Sequence, residues 1–204
     1  MNQPLLIASA NLEKINEIQA ILSPQLANIT TAKDLALSIE VEETGQTYSE
    51  NARLKASAYL QATGFPALAD DTGLEVDALQ GAPGIYSNRF APIANPTYAD
   101  HRKHLLAELR NKPQPWTAHF SVVVVLALPD GQFIETTGRC DGIIIPKEIG
   151  SGGFGYDPIF YLPKLGATMA ELPSAMKNQI SHRAHALKAM LPTLIQLFNN
   201  RISE

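Results

Sequence analysis

The chain has 204 residues, of which 45% are hydrophobic and 18% are charged. A globular chain of this length buries roughly 70% of the surface that its unfolded form exposes, so the composition excludes intrinsic disorder and requires no disulfide or structural metal. The 20 acidic residues outnumber the 16 lysines and arginines, and the net charge of −4 argues against affinity for nucleic-acid phosphates. We predict a single domain over residues 1–204 that does not bind nucleic acid.

The sequence also gives no indication of a membrane segment. Its longest uninterrupted apolar run, residues 122–128, is far shorter than the ~20 residues that a membrane-spanning helix requires, and no leader-like segment precedes the first predicted strand. Cys140 is the only cysteine, which excludes an intramolecular disulfide and a cysteine metal cluster. We expect a soluble, cytoplasmic protein with no membrane partner, in which Cys140 packs as a small apolar residue.

The first half of the chain is predicted to alternate strands and helices. Apolar side chains recur at helical spacing over residues 11–22 and define one apolar face. That face comprises Leu12, Ile15, Ile18 and Leu22. Thr47 and Glu50 have the spacing of a capping box, and Gly64 is a typical helix terminator, so a second helix is predicted between them. The predicted strands are residues 5–8, 37–41 and 66–69.

The second half contains the most strand-like segment of the chain, residues 119–128, followed by the turn Asp130-Gly131. Further strands or extended segments are predicted at residues 132–137, 142–146 and 159–162. Helices are predicted at residues 97–110 and 181–190, and loops at residues 80–91 and 150–155. This alternation predicts an α/β fold on a mixed sheet.

A first candidate anion site lies between the first strand and the first helix, in the pattern Ser9-x-Asn11-x-x-Lys14. A helix N-terminus carries unpaired amides and about half a positive charge, so a lysine in the first turn is unfavourable unless an anion binds there. The alternative is that Asn11 only caps the helix while Lys14 points to solvent. No G-x-x-x-x-G-K-[ST] pattern occurs, which excludes a P-loop.

The start of the last predicted helix has the same unusual feature. Ser181 is a natural N-cap, and His182 and Arg183 follow it in the first turn, where acidic residues are preferred. Lys177 lies shortly before the cap. A polyanionic ligand such as a triphosphate would explain both helix starts.

A candidate metal site begins with the adjacent Asp70 and Asp71, directly after a short apolar strand. Neighbouring carboxylates repel each other unless a cation holds them, and Mg²⁺ prefers such oxygen ligands. Glu42 and Glu43 follow the preceding predicted strand, so the four carboxylates would converge if the two strand ends lie together. The alternative is a polar turn in which an aspartate bonds its own backbone.

The glycine-rich segment 150–158 is the last candidate. Three of its glycines satisfy G-x-G-x-x-G. A dinucleotide-binding loop must open a helix, whereas here Pro158 and an apolar extended segment follow, so we reject that interpretation. Glycines around an aromatic residue favour a flat ligand that stacks on Phe154 or Tyr156, and a plain turn is the alternative.

Together these segments closely resemble the inosine triphosphate pyrophosphatase family, from residue 5 to about residue 190. The matching segments are Ser9-Ala10-Asn11-Leu12-Glu13-Lys14, Glu43-Thr44-Gly45, Glu50-Asn51-Ala52, Leu54-Lys55-Ala56, residues 69–74, residues 81–87, residues 152–158, Lys177 and Ser181-His182-Arg183. The resemblance implies Mg²⁺-dependent hydrolysis of ITP, dITP and XTP to the nucleoside monophosphate and pyrophosphate. Such hydrolysis removes these nucleotides from the pool before their incorporation into DNA or RNA.

The resemblance also implies roles for single residues. Asp71 would be the general base for the attacking water, and the metal ligands would come from Glu42, Glu43, Asp70 and Asp71. The residues implied to bind the substrate are Ser9, Ala10, Asn11, Leu12, Glu13, Lys14, Lys55, Thr72, Arg89, Phe154, Gly155, Tyr156, Asp157, Lys177, His182 and Arg183. Within this set the segment from Ser9 would bind the phosphates and the segment from Phe154 would enclose the base.

For the fold, the resemblance implies an elongated mixed β-sheet with flanking helices, in two lobes around a central nucleotide cleft. Both lobes would come from one continuous domain, and the protein would be a homodimer. Two other functions stay open. One is a hydrolase of modified pyrimidine nucleotides, which a substrate panel would reveal, and the other is a nucleotide-binding protein without Mg²⁺-dependent turnover.

Overall fold

The structure, a computed structural model, describes residues 3–199. The strands are β1 (Leu5–Ile7), β2 (Ile29–Thr31), β3 (Ala67–Val76), β4 (Trp116–Ala127), β5 (Phe133–Ile144), β6 (Phe160–Leu162) and β7 (Ala167–Thr168). The helices are α1 (Leu12–Leu22), α2 (Tyr48–Thr63), α3 (Tyr98–Leu109), α4 (Ser174–Ile180) and α5 (His182–Asn199). Short 3-10 turns occupy Asp77–Leu79, Gly84–Arg89, Asp157–Ile159 and Met169–Glu171.

Within the described residues the strands form one seven-stranded sheet in the order β2-β1-β3-β4-β5-β6-β7. β1 is parallel to both β2 and β3, whereas β6 is antiparallel to both β5 and β7. Parallel neighbours require crossover connections, and α1 and α2 supply them between β1, β2 and β3. The predicted α/β fold on a mixed sheet with flanking helices is confirmed.

The described chain divides into two compact units, each assembled from separate segments of the sequence. The first unit contains the described residues up to Asp71, residues Val122–Gly138, and the described residues from Arg183 onward. Alternate residues of β1 enter different parts of its core: Leu5 and Ile7 join a cluster with α1 and α5, whereas Leu6 joins one with α2. A strand that is covered on both faces in this way is typical of parallel sheets.

The second unit contains residues Thr72–Ser121 and Arg139–His182. Its core combines side chains of β3, α3, β4, β5 and β6 with the turn at Asp157–Ile159. Cys140 belongs to this core, as predicted. The prediction of one continuous domain over residues 1–204 stays a prediction.

Several predicted helix boundaries are confirmed. Asn11 caps α1, Thr47 caps α2 by accepting the Glu50 N–H at 3.1 Å, and Gly64 ends α2 with φ 73°. α3 begins after Thr97, which forms a full capping box with Asp100. The predicted apolar face of α1 is wrong at one position, because Leu12 is 56% exposed. No helix of the described chain is long and apolar enough to cross a membrane.

In the first half of the chain the strand predictions contain three errors. Residues 37–41 form no strand; the second strand is β2, which pairs with β1 although only Thr31 of its residues is buried. Consequently Glu42 and Glu43 do not follow a strand. β3 continues to Val76, so Asp70 and Asp71 lie inside a strand and not at its end.

Predicted elements in the second half of the chain also had the wrong bounds. The segments 132–137 and 142–146 lie largely in one strand, β5, which runs from Phe133 to Ile144. A Cβ atom at Gly142 of this strand would lie 2.7 Å from carbons of the Phe160 ring. The last helix extends well beyond residue 190 to Asn199 and contains Pro192. Packing against the first-unit core holds this second half of α5 in place.

Candidate active site

The start of α1 forms a short polar turn after β1. The Ser9 hydroxyl accepts the Asn11 N–H at 3.2 Å, and the Asn11 side chain accepts the Lys14 N–H at 3.1 Å. The side chains of Ala10, Leu12 and Glu13 are exposed around it. Asn11 therefore caps the helix, but Lys14 does not point to solvent as the simple capping alternative required, because its side chain is only 8% exposed.

The buried ammonium of Lys14 belongs to an ion-pair cluster centred on Asp70. Lys14 Nζ lies 3.2 Å from Asp70 Oδ2, and the Arg183 Nη2 atom lies 3.0 Å from the same oxygen. Arg183 also pairs with Glu17 of α1. Burial disfavours the Asp70 charge, but the surrounding cations outweigh it and hold the pKa of this carboxyl well below its usual range. Burial lowers the pKa of Lys14.

Asp71, the next residue of β3, contacts a different set of groups. Lys55 Nζ of α2 lies 2.8 Å from Asp71 Oδ1 and 3.0 Å from Glu43 Oε1. The Asn51 side-chain amide donates to Asp71 Oδ2 at 3.4 Å. Burial raises the pKa of Asp71 despite the neighbouring lysines. Burial opposes the charge of Lys55 as well, yet its carboxylate neighbours, chiefly Asp71, raise its pKa.

The predicted metal ligands do not all converge. In the described part of the chain no group of three or more His, Cys, Asp or Glu side chains has an arrangement that could hold a metal ion. Glu42 is exposed, whereas Glu43 and Asp71 meet at the Lys55 ammonium. Asp70 Oδ1 is buried and has no hydrogen-bond partner among the described residues. Mg²⁺ usually takes one or two carboxylates together with water and phosphate oxygens, so this donor set fits the ion.

The glycine-rich loop of the second unit is organised by Asp157. Its Oδ2 atom accepts the Phe154 N–H at 2.9 Å and pairs with the buried Lys177 ammonium. The same ammonium lies 4.6 Å from the centre of the Phe154 ring, a cation–π distance. Gly153 has φ +67°, and a Cβ atom there would lie 2.1 Å from Asp157 Oδ2. These contacts fix the conformation of the loop, and its role in binding a flat ligand stays a prediction.

Three further contacts fix this loop and its surroundings. The Tyr156 hydroxyl donates to the Ser87 carbonyl at 2.9 Å, and burial raises the pKa of this phenol. Arg102 of α3 donates to the Gly155 carbonyl at 2.7 Å. The ring of His182 stacks on that of Phe120, with centroids 4.8 Å apart and planes 14° apart.

The other predicted substrate residues lie elsewhere in the second unit. The Thr72 hydroxyl donates to the Ser121 carbonyl at 2.8 Å. Arg89 is exposed, with its guanidinium 5.2 Å from the centre of the Tyr86 ring.

Comparison with known proteins identifies the family of the chain. The Ham1 family model matches residues 5–193. The chain belongs to the Ham1 family. The Ham1 protein of Staphylococcus aureus superposes with a TM-score of 0.82 at 40% identity, covering 94% of this chain and 98% of that chain. The Coxiella burnetii HAM1 protein gives a TM-score of 0.85 at 36% identity, covering 95% and 99% of the two chains.

A curated relative of this Ham1 chain indicates the chemistry of the family. A protein of Desulforamulus reducens, named dITP/XTP pyrophosphatase, is 44% identical over 195 residues, which is 95% of this chain and 96% of the relative. The resemblance found in the sequence is therefore confirmed at the level of the family.

The sequence reasoning missed three residues that the Ham1 structure places beside predicted ones. Glu17 pairs with Arg183, Asn51 contacts Asp71, and Arg102 holds Gly155. Only Asn51 had a usable signal. It lies one helical turn before Lys55 in a segment that already matched the family, and asparagine is a poor residue for a helix interior unless its side chain has a specific partner.

Proposed function

We propose that this Ham1 protein hydrolyses the non-standard purine nucleoside triphosphates ITP, dITP and XTP to the nucleoside monophosphate and pyrophosphate. The name of the Desulforamulus reducens relative supports this reaction class. The observation that carries the proposal is the buried Asp71 carboxylate held by Lys55 at 2.8 Å. This ion pair places a candidate base, which would accept a proton from water, beside a cation that could bind phosphate.

The start of α1 is proposed to bind the phosphates. Its backbone amides and helix dipole attract negative charge, and residues 9–13 are at least partly open to solvent. Lys14 and Lys55 add two ammonium groups whose present partners are the carboxylates of β3 and Glu43. A triphosphate would offer these cations further anionic partners.

Asp71 is proposed to act as the general base. Its raised pKa makes the carboxylate a better proton acceptor than an ordinary aspartate, and the lysine at 2.8 Å keeps it oriented. Asp71 would accept a proton from water as the water oxygen bonds to the α-phosphorus. The bond from that phosphorus to the oxygen bridging to the β-phosphate breaks, and pyrophosphate leaves with the electron pair. Nearby lysines would stabilise the charge that develops on this leaving group.

Glu43 and Asp71 are the residues proposed to hold Mg²⁺, with Asp70 Oδ1 as a further candidate oxygen. Glu43 is preferred to Glu42 because it shares the Lys55 ammonium with Asp71. When bound, the ion would neutralise phosphate charge and polarise the bond that breaks.

The second unit is proposed to recognise the purine. Phe154 offers a ring face, while Lys177 and His182 offer donors that suit the 6-oxo group of inosine and xanthosine. Adenine presents a 6-amino group instead, and it would leave a buried donor without an acceptor. Asp157 fixes both Phe154 and Lys177, so substrate choice should depend on it.

The test is pyrophosphate release from ITP, dITP, XTP, ATP and GTP, with and without Mg²⁺, for the wild type and Asp71→Asn. We expect Mg²⁺-dependent turnover of the first three nucleotides only, with turnover by the variant reduced to a low residual rate. Equal turnover of all five would contradict the proposed base recognition. Turnover of modified pyrimidine triphosphates, or binding without turnover, would establish one of the alternative functions.

We also propose that the protein is a homodimer that acts in the cytoplasmic nucleotide pool. Light scattering after size-exclusion chromatography would test the first part, since a mass equal to one 22.1 kDa chain would contradict it. Mutation frequency in cells grown with deoxyinosine would test the second.

A further inference from the structure

We propose that Asn51 is a positioning residue for the hydrolysis proposed above: its side-chain amide fixes the Asp71 carboxylate relative to the backbone of residues 43–45. The Asn51 side chain is fully buried, with 0% of the residue exposed. A buried amide is stable only when its donor and acceptor are both satisfied. The proposal rests on the role of Asp71 in the proposed function.

The two ends of the Asn51 amide face different parts of the candidate site. Its Oδ1 atom accepts the Gly45 N–H at 2.8 Å, and its Nδ2 atom donates to Asp71 Oδ2 at 3.4 Å. The first contact defines the orientation of the amide, because the Gly45 N–H requires an oxygen opposite it. The NH₂ group must then face the carboxylate.

Lys55 makes the same connection one helical turn further along α2. Its ammonium joins Glu43 Oε1 to Asp71 Oδ1, at 3.0 and 2.8 Å. Residues four positions apart lie on one face of a helix, so Asn51 and Lys55 contact both oxygens of Asp71 from one rigid element. Lys55 places a positive charge beside the Asp71 carboxylate, whereas the neutral Asn51 amide fixes the orientation of that carboxylate.

The close contact between residue 45 and Asn51 requires a glycine at position 45. A Cβ atom at Gly45 would lie 2.7 Å from Asn51 Oδ1 and 2.9 Å from the Asn51 backbone nitrogen. Any side chain at this position would displace either residues 43–45 or the amide. The glycine in Glu43-Thr44-Gly45 therefore allows the close approach on which the Asn51 contact depends.

The experiment compares Asn51→Leu, Asn51→Asp and Gly45→Ala with the wild type, using ITP and Mg²⁺. Asn51→Leu removes both contacts of the amide. Asn51→Asp keeps an acceptor for the Gly45 N–H but loses the donor to Asp71. Gly45→Ala disturbs the contact between residue 45 and the Asn51 amide oxygen. We expect each to lower kcat by about 10- to 100-fold, with KM changed less than about threefold. Ala52→Gly, at the adjacent buried position, is the control: it should lower Tm while kcat stays near that of the wild type.

A double-mutant cycle separates positioning from general destabilisation. If Asn51 acts through Asp71, Asn51→Leu should cause almost no further loss in the Asp71→Asn background. Wild-type kcat in Asn51→Leu, or full additivity with Asp71→Asn, would overturn the proposal while leaving the proposed function intact. If Asn51→Leu fails to fold, the same cycle with Asn51→Asp decides. No turnover of any triphosphate by the wild type would overturn both proposals.

Discussion

Arg183 of α5 and Asp70 of β3 form an ion pair in which each side chain is only 1% exposed, with Nη2 and Oδ2 3.0 Å apart. Asp70 also lies 3.2 Å from the Lys14 ammonium, so one carboxylate pairs with two buried cations. The free energy of such a pair depends on both partners being present, because a buried charge without its partner loses hydration and gains nothing in exchange.

Asp70→Asn should therefore lower the free energy of unfolding by about 3–5 kcal/mol. Glu17→Gln should cost less, because the Glu17 side chain is more exposed than that of Asp70, at 13% against 1%. Urea unfolding of both variants gives the comparison. Equal losses would show that Asp70 does not have the central role in this cluster.

His101 should make stability depend on pH. Its Nδ1 atom accepts the Ala91 N–H at 3.0 Å, the residue is 3% exposed, and burial lowers its pKa. The unfolded chain then binds the proton more readily than the folded chain. The contribution of His101 to the free energy of unfolding is therefore complete above about pH 6.5, and it is lost as the pH falls towards the lowered pKa.

The measurement is the free energy of unfolding at several values between about pH 7.5 and 5. His101→Gln, which keeps an acceptor but cannot titrate, should give a flatter profile than the wild type. His185→Gln, the same substitution at an exposed position, is measured beside it for comparison. An unchanged slope in His101→Gln would contradict the assignment.

Local signals in the sequence predicted the helices well and the strands less well. Thr47, Gly64 and Thr97 act through bonds to near neighbours, so their caps are visible in a short window. β2 has little apolar character of its own and exists because β1 offers it a hydrogen-bonding edge. Leu37 lacks such a partner strand and is 39% exposed.

In the candidate site, too, the features that depend on partners distant in sequence could not be predicted. Aspartates disfavour strands, so the sequence ended β3 before Asp70, whereas buried cations allow the strand to continue through both carboxylates. Residue types identified Lys14, Asp70 and Arg183 as chemically unusual, but not their mutual pairing. Arg183 and Asp70 are 113 positions apart, and only the tertiary fold brings them together.

The thiol of Cys140 should be unreactive in the folded protein. The residue is 7% exposed, and burial raises the pKa of the thiol to about 11. At about pH 8 the thiolate fraction is then roughly 100-fold smaller than that of an ordinary cysteine with a pKa of about 8.5. Labelling with a chromogenic disulfide should be at least 100-fold slower, on this order-of-magnitude reasoning, in buffer than in denaturant. Rapid labelling of the folded protein would show that this core opens readily.

Arg102 should determine the order of the glycine-rich loop. Its Nε and Nη2 atoms bind both carboxylate oxygens of Glu148 at 2.9 Å, while Nη1 donates to the Gly155 carbonyl at 2.7 Å. One guanidinium thus holds the two ends of the loop. Lysine cannot reproduce this planar fork, so Arg102→Lys should release the loop although the charge is conserved.

Amide hydrogen exchange of residues 149–157 would measure this release. We expect faster exchange in Arg102→Lys, confined to the loop, together with a higher KM for ITP if the loop binds the base as proposed. Arg110→Lys, at an exposed position directly after the same helix, is the matched control and should change neither quantity. If the loop of Arg102→Lys stayed as protected as that of the wild type, the Asp157 contacts alone would account for its order, because they join Phe154 to Lys177 without Arg102.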